Sequence, residues 1–195
     1  MQASERPSWR VTEGTDLGVL VALYLRTTLG VRPPEELPAL RGVIPAGEAD
    51  DEVTAQWLQY WRMTVEPLAH PADEPLELVD GFRDLVALPV SAVRLAEAIA
   101  PLAPAALAFA DAARGRLMLE QRARAADLVW TYLVRDEEKR AGRPAHPFTL
   151  NVQLLPLTQR GIWWIGDLSI AVSDGLRGDA PAFGKAIRPI VADLL

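Results

Sequence analysis

Apolar and polar residues alternate without a fault from Phe148 to Leu154: Phe148, Leu150, Val152 and Leu154 against Thr149, Asn151 and Gln153. A repeat of two predicts a strand. A second stretch, Ile162 to Ser173, answers it, and Thr158-Gln159-Arg160-Gly161 reads as the four-residue hairpin loop between them. That loop would pair Leu157 with Ile162, Leu154 with Ile165 and Pro156 with Trp163. Gly166-Asp167 interrupts the second stretch, either as a tight turn making a three-stranded meander or as a bulge within one long hairpin. The bulge is preferred, because one extra residue sets Val172, Ile170 and Leu168 across from Phe148, Leu150 and Val152. Both arrangements put Phe148, Leu150, Val152, Leu154, Trp163, Ile165, Leu168, Ile170 and Val172 on a core face. Each such side chain, once buried, contributes about 1.5–3 kcal/mol before entropy is subtracted. A two-stranded ribbon is marginal alone, so helices must cover it.

The opposite face is mostly polar, but near the hairpin tip it gathers Leu155, Leu157, Ile162 and Trp164. Three things could cover that cluster: another part of the same chain such as the Trp9 region, a protein partner or second subunit, or a small apolar ligand. A large patch left exposed would point to interaction.

Elsewhere the repeat is helical. Leu17–Leu29 is apolar nearly all round, with Asp16 as N-cap and Gly30 as the left-handed residue that ends it. Val31–Asp50, with four prolines, reads as a loop around one short helical turn at Glu35–Leu40. Asp50 or Asp51 caps the next helix, where Val53, Trp57, Tyr60, Trp61, Thr64 and Leu68 recur at three- and four-residue spacing. Leu76–Leu88 is expected to be a helix weakened by Gly81, and Ser91 to cap a short one ending near Leu102. Pro104 opens the longest periodic region, to about Gly142, with Gly115 as a candidate kink. Within it a narrow charged stripe, Arg116, Glu120, Arg124 and Asp127, forms a ladder of surface pairs worth about 0.2–0.5 kcal/mol each. The remaining two-thirds of that circumference is apolar enough for a central helix, and Arg135–Arg143 reads as its solvated last turn. Trp9 and Val11 hint at a short edge strand. The closing helix is capped by Asp179, carries Phe183, Ile187, Ile190 and Leu194 as its stripe, and is kinked by Pro189.

Composition narrows the class without naming a function. The 195 residues fit one globular domain, 1–195, and the hydrophobic half and charged quarter of the chain suit a soluble fold. With no cysteine, neither a disulfide nor a thiolate metal site is available. A net charge of −6 argues against a nucleic-acid binder. Met1–Asp16 is polar and mixed in charge, unlike a secretory signal. The early apolar run Leu17–Leu25 is far shorter than the roughly 20 residues of a membrane span. A cytoplasmic protein, with no membrane partner, is the expectation.

The chemistry searched for is thin. The two histidines, His70 and His146, both precede proline in loops. His70 with Asp73 and Glu74 matches no known metal scaffold, so no metal and no cofactor is expected. There is no Gly-x-Ser-x-Gly elbow and no Gly-rich phosphate loop. Glu120 and Asp127 are better explained by the arginine ladder than as an acid/base pair. Arg177-Gly178-Asp179 spells an adhesion tripeptide, but Asp179 already has a capping role. Pro147-Phe148-Thr149-Leu150, Leu154-Leu155-Pro156, Trp163-Trp164, Val172-Ser173 and Arg188-Pro189 together resemble the C-terminal part of uncharacterised actinobacterial proteins of unknown function. Arginine heavily preferred over lysine fits such a GC-rich coding bias. The resemblance covers about a quarter of the chain and carries no catalytic residue over.

The sequence therefore predicts an α+β domain, mainly helical, with a small antiparallel sheet near the C-terminus and a closing helix. Its first functional expectation is a non-catalytic interaction or assembly protein. It would form a homodimer, or meet another protein, through Leu155, Leu157, Ile162 and Trp164. The alternative is an enzyme or small-ligand protein with a pocket between helices and sheet, lined by Trp57, Trp61 or Trp130.

Overall fold

In the computed structural model, which describes residues 9–123 and 128–194, β1 (Arg10–Gly14) leads straight into α1 (Leu17–Leu29). The Asp16 carboxylate accepts the N–H groups of Gly18 and Val19 at 2.7 and 3.2 Å, satisfying donors that have no partner inside the helix. Gly30 ends α1 at φ 73°, and a Cβ there would lie 2.1 Å from the Gly47 carbonyl oxygen, so only glycine fits. In the loop that follows, the expected helical turn is a single turn, closed by Leu37 N–H on the Pro34 carbonyl at 3.2 Å. α2 (Asp51–Val65) begins at Asp50, whose carboxylate accepts Val53 N–H at 2.8 Å.

The helix expected over Leu76–Leu88 is instead an antiparallel hairpin, β2 (Leu76–Leu78) and β3 (Ala87–Pro89). Its tip explains the change. Gly81 and Arg83 both sit at positive φ, 85° and 57°, which no helix accommodates. After β3 come α3 (Val93–Ile99), a 3₁₀ turn (Ala100–Leu102) and α4 (Ala103–Ala123). Ser91 does not cap α3; its hydroxyl donates to the Glu74 carboxylate. By length and composition Val93–Ala123 could cross a membrane, but here it is broken at Ala100–Leu102 and packs the stripe Ala103, Ala106, Ala110 and Ala113 into the core.

The single long helix expected up to Gly142 is two helices, α4 and α5 (Val129–Ala141). Arg124 and Asp127 of the proposed ladder lie outside the described residues. The region is not wrapped on most sides: Leu119, Leu128 and Tyr132 are exposed. Its tail is not wholly solvated either, because Glu137 is buried against Arg140 and Arg188 at 2.8 Å each.

The chain then forms β4 (Thr149–Leu155), β5 (Ile162–Trp164), β6 (Ser169–Ser173), the short α6 (Asp174–Arg177) and the closing α7 (Ala180–Leu194). The class is α+β and mainly helical. The strand pairing, however, differs from the expected hairpin. β4 does not pair with β5; the sheet order is β1-β4-β6-β5, with β1 and β6 both parallel to β4 and only β5 antiparallel. Thr158–Gly161 reverses the chain but does not lay β5 beside β4, because β6 takes that place and the continuation of β4 is held to the loop after α1. Arg41 N–H bonds to the Pro156 carbonyl at 2.7 Å and Thr158 N–H to that of Ala39 at 3.0 Å. The break at Gly166-Asp167 is a turn, with Ile165 and Gly166 N–H both donating to the Ser169 carbonyl, and it joins β5 to β6.

This topology exchanges the faces of β5. Trp163 lies opposite Ala171, on the side of Gln153 and Leu155, whereas Ile162 and Trp164 share the side of Leu154, Ile170 and Val172. A mainly parallel sheet is buried on both faces, and this one is. One side carries α1, α2, α3 and much of α4 over Leu155, Leu157 and Ala171. The other carries α5 and α7 over Leu150, Val152, Leu154, Ile170 and Val172. Even the polar side of β4 is covered: Gln153 is buried and accepts the Asp16 N–H at 3.0 Å.

Candidate interaction surface

The four residues expected to form one outer cluster are separated. Leu155 and Leu157 are buried by their own chain beneath the α1–α2 side. Ile162 is half-buried against the other core. Trp164 alone stays open, at 48% exposure.

Strand register sets Trp164 in line with a different set of apolar residues. β1, β4 and β6 are parallel, so the residues preceding them lie at one end of the sheet, and antiparallel β5 ends there too. Trp9 precedes β1, Phe148 precedes β4, Leu168 precedes β6 and Trp164 closes β5. Trp9 and Phe148 stack with ring centroids 6.2 Å apart, and both pack only partly into the α5–α7 core. Asn151 N–H binds the Leu168 carbonyl at 2.8 Å, which fixes Leu168 beside β4. Leu168 is 45% exposed. The result is an apolar stripe across the amino ends of the parallel strands.

Its β5 end is anchored and yet open. Glu66, just beyond α2, accepts Leu168 N–H at 3.0 Å, and a Cβ on Gly166 would lie 2.3 Å from the Glu66 carboxyl carbon. The hairpin turn is thereby clamped onto the end of α2. Along β5, the Gly161 carbonyl accepts Ser173 N–H and Ile165 N–H donates to the Ser169 carbonyl of β6. By the alternation of an antiparallel ladder, Ile162 and Trp164 then turn their own N–H and C=O groups outward. Such an edge is a template for another strand.

The three tryptophans of the alternative pocket do not share a wall. Trp57 is fully buried, stacks on Trp61 at 5.5 Å and donates its indole N–H to the Ala22 carbonyl at 3.1 Å. Trp130 belongs to the opposite side of the sheet, edge-on to Phe183, with its N–H on the Glu13 carboxylate at 3.1 Å. That carboxylate also receives the buried Arg177 guanidinium at 2.9–3.0 Å, and Arg177 lies 4.7 Å from the Phe183 ring centre. No sequence pattern points to the Glu13–Arg177 pair, because its members are separated by almost the whole chain.

A cleft of about 660 Å³ lies at the end of α1 between Arg26, Arg32, Glu35 and Glu48. Arg26 is buried, and its donors go to the carbonyls of Arg32, Pro33, Pro34 and Leu37 at 2.6–3.1 Å. Burial lowers its pKa from the usual guanidinium value. With its N–H groups so committed, Arg26 organises the loop rather than facing a ligand. His70 and Asp73 share a small cleft beside α2, and no cluster suited to a metal occurs among the described residues. No protein-family model, curated protein or solved structure matches the chain.

Proposed function

We propose that this is a non-catalytic assembly protein that forms a homodimer through the β5 edge and the adjoining apolar stripe. The observation that carries the proposal is the alignment of Trp9, Phe148, Leu168 and Trp164 across one end of the sheet, with Trp164 and Leu168 about half open. A two-fold axis beside β5 would set Ile162 and Trp164 of one copy against the same residues of the other, since a two-fold interface is self-complementary. Aromatic side chains at its centre would supply most of the binding energy. A specific interface hides about 800 Å² on each partner, so the stripe must be joined by neighbouring surface of α5 or α7. Such a protein would act in the cytoplasm, without nucleic acid or membrane. Sedimentation velocity over a wide concentration range tests this: the chain should run as a dimer, and Trp164→Glu as a folded monomer. A parent chain that stays monomeric at high concentration would overturn the proposal.

A further inference from the structure

A second surface, remote in sequence from the stripe, has a different chemistry. A cleft of about 400 Å³ separates the β2–β3 hairpin from α3. Its apolar wall includes Leu78, Val90 and Val93, which are 62%, 41% and 54% exposed. Its polar lining is Glu77, Asp80 and Glu97, with no lysine, arginine or histidine. Among the described residues none of these three carboxylates has a salt-bridge partner. The two nearest arginines in sequence make their ion pairs elsewhere, Arg83 with Asp111 at 3.5 Å and Arg94 with Asp50 at 2.9 Å, although Arg94 also feels the Glu97 charge at longer range.

The hairpin has two edges, and they are not equivalent. Val79 N–H bonds to Val86, and Val90 N–H to Pro75. Leu76 and Leu78 therefore sit at positions whose backbone groups point away from β3. On β3 the matching outward position opposite Leu76 is Pro89, which has no N–H to offer. The β3 edge is thus blocked by proline, whereas the β2 edge is open and carries two exposed leucines. A second copy of β2 would bring Glu77 and Asp80 against their own equivalents, and like charges oppose that pairing. A partner that matches must supply backbone hydrogen bonds, apolar side chains and positive charge together.

We infer that the β2 edge and the acidic groove beside α3 form a docking site for an extended segment of another protein, in which lysine or arginine alternates with aliphatic residues. The segment adds as a strand to β2, in the manner of β-augmentation. Its aliphatic side chains lie on Leu76, Leu78 and Val93, and its cations reach Glu77, Asp80 and Glu97. The site is independent of the β5 edge and of the dimer proposed there.

The test uses fluorescence anisotropy with a labelled peptide of alternating valine and lysine, and a control in which glutamate replaces lysine. The full-length chain should bind the lysine peptide saturably and the control not at all. Affinity should fall several-fold between 0.15 and 1 M salt, as the screening length shrinks from about 8 to 3 Å. Glu77→Lys and Glu97→Lys together should weaken the lysine peptide at least tenfold and gain binding of the glutamate peptide. That gain also shows the variant to be folded. Leu78→Asp should weaken binding similarly, whereas Glu52→Lys on α2 and Trp164→Glu on β5 should leave it unchanged. Binding lost equally in Glu52→Lys would reduce the effect to net charge and overturn the inference, as would absence of saturable binding by the parent chain.

Discussion

The two sides of the sheet solve the same burial problem by different means. The α1–α2 side is held by hydrocarbon and aromatic packing, with the Trp57–Trp61 stack at its centre, and its buried cation, Arg26, is surrounded by neutral carbonyls. The α5–α7 side is thinner, and its buried cation, Arg177, faces a carboxylate. Glu137, also buried there, takes Arg140 and Arg188. A cation lodged among carbonyls can be removed at the cost of neutral hydrogen bonds. A cation paired with a buried carboxylate cannot be removed without stranding that charge.

The largest expected effect breaks the first side. Trp57→Ala should cost about 4 kcal/mol in urea unfolding, through lost burial and the cavity left beside Trp61; a loss below 1 kcal/mol would show that the stack is not central. The two arginines then give the sharpest contrast. Arg177→Met removes the charge partner of the largely buried Glu13 carboxylate, leaving it the Trp130 N–H, and should cost about 3 kcal/mol. Arg26→Met exposes carbonyls of a loop that can reach water and should cost about 1–2 kcal/mol. Reversal of that order would remove the distinction between the sides.

Tyr60→Phe should move stability the other way. The Tyr60 hydroxyl is buried with no hydrogen bond of good geometry among the described residues, although the Thr64 side chain lies close to it, and burial raises its pKa. Deleting it should leave stability unchanged or raise it by about 1 kcal/mol; a clear loss would reveal a partner for that hydroxyl.

The smallest effect is shared by both sides. Asp50 at the start of α2 and Asp179 at the start of α7 have carboxyl pKa values held low. The first cause in each is a backbone N–H, of Val53 and Ala182, and Arg94 and Arg160 add to it. A lowered folded-state pKa means that each contribution is fully present above the unfolded value near pH 4 and fades as pH falls through the lower folded value. Thermal melts should therefore soften in acid, and Asp50→Asn with Asp179→Asn should flatten that slope. An unchanged slope would assign acid sensitivity to other carboxylates.

Much of the local structure was legible because its causes are local. Asp16, Gly30, Asp50 and Asp179 mark helix ends through hydrogen bonds to residues two or three positions away. The period of two in β4 and the period near four in α2 state the element type directly. The mistaken helix over Leu76–Leu88 arose where Leu78, Phe82 and Leu85 imitate helical spacing, while the left-handed residues at Gly81 and Arg83 decide for a hairpin. Of the four residues expected on the candidate surface, Trp164 was left about half exposed. Leu155 and Leu157 were not, since their choice depended on pairing β4 with β5.

The sequence by itself marked most of the elements, the caps at Asp16, Asp50 and Asp179 and a break at Gly166-Asp167, because those depend on nearest neighbours along the chain. The tertiary structure decided which strand lies beside β4 and hence which face each residue of β5 presents. It also joined Glu13 to Arg177 and left the β2 edge open beside three carboxylates. A strand's alternation says that it has two faces; only its partner says which way they point. That is why Trp164 could be suspected from the chain, while its alignment with Phe148 and Leu168 across the ends of the strands emerged only from the register of a parallel sheet.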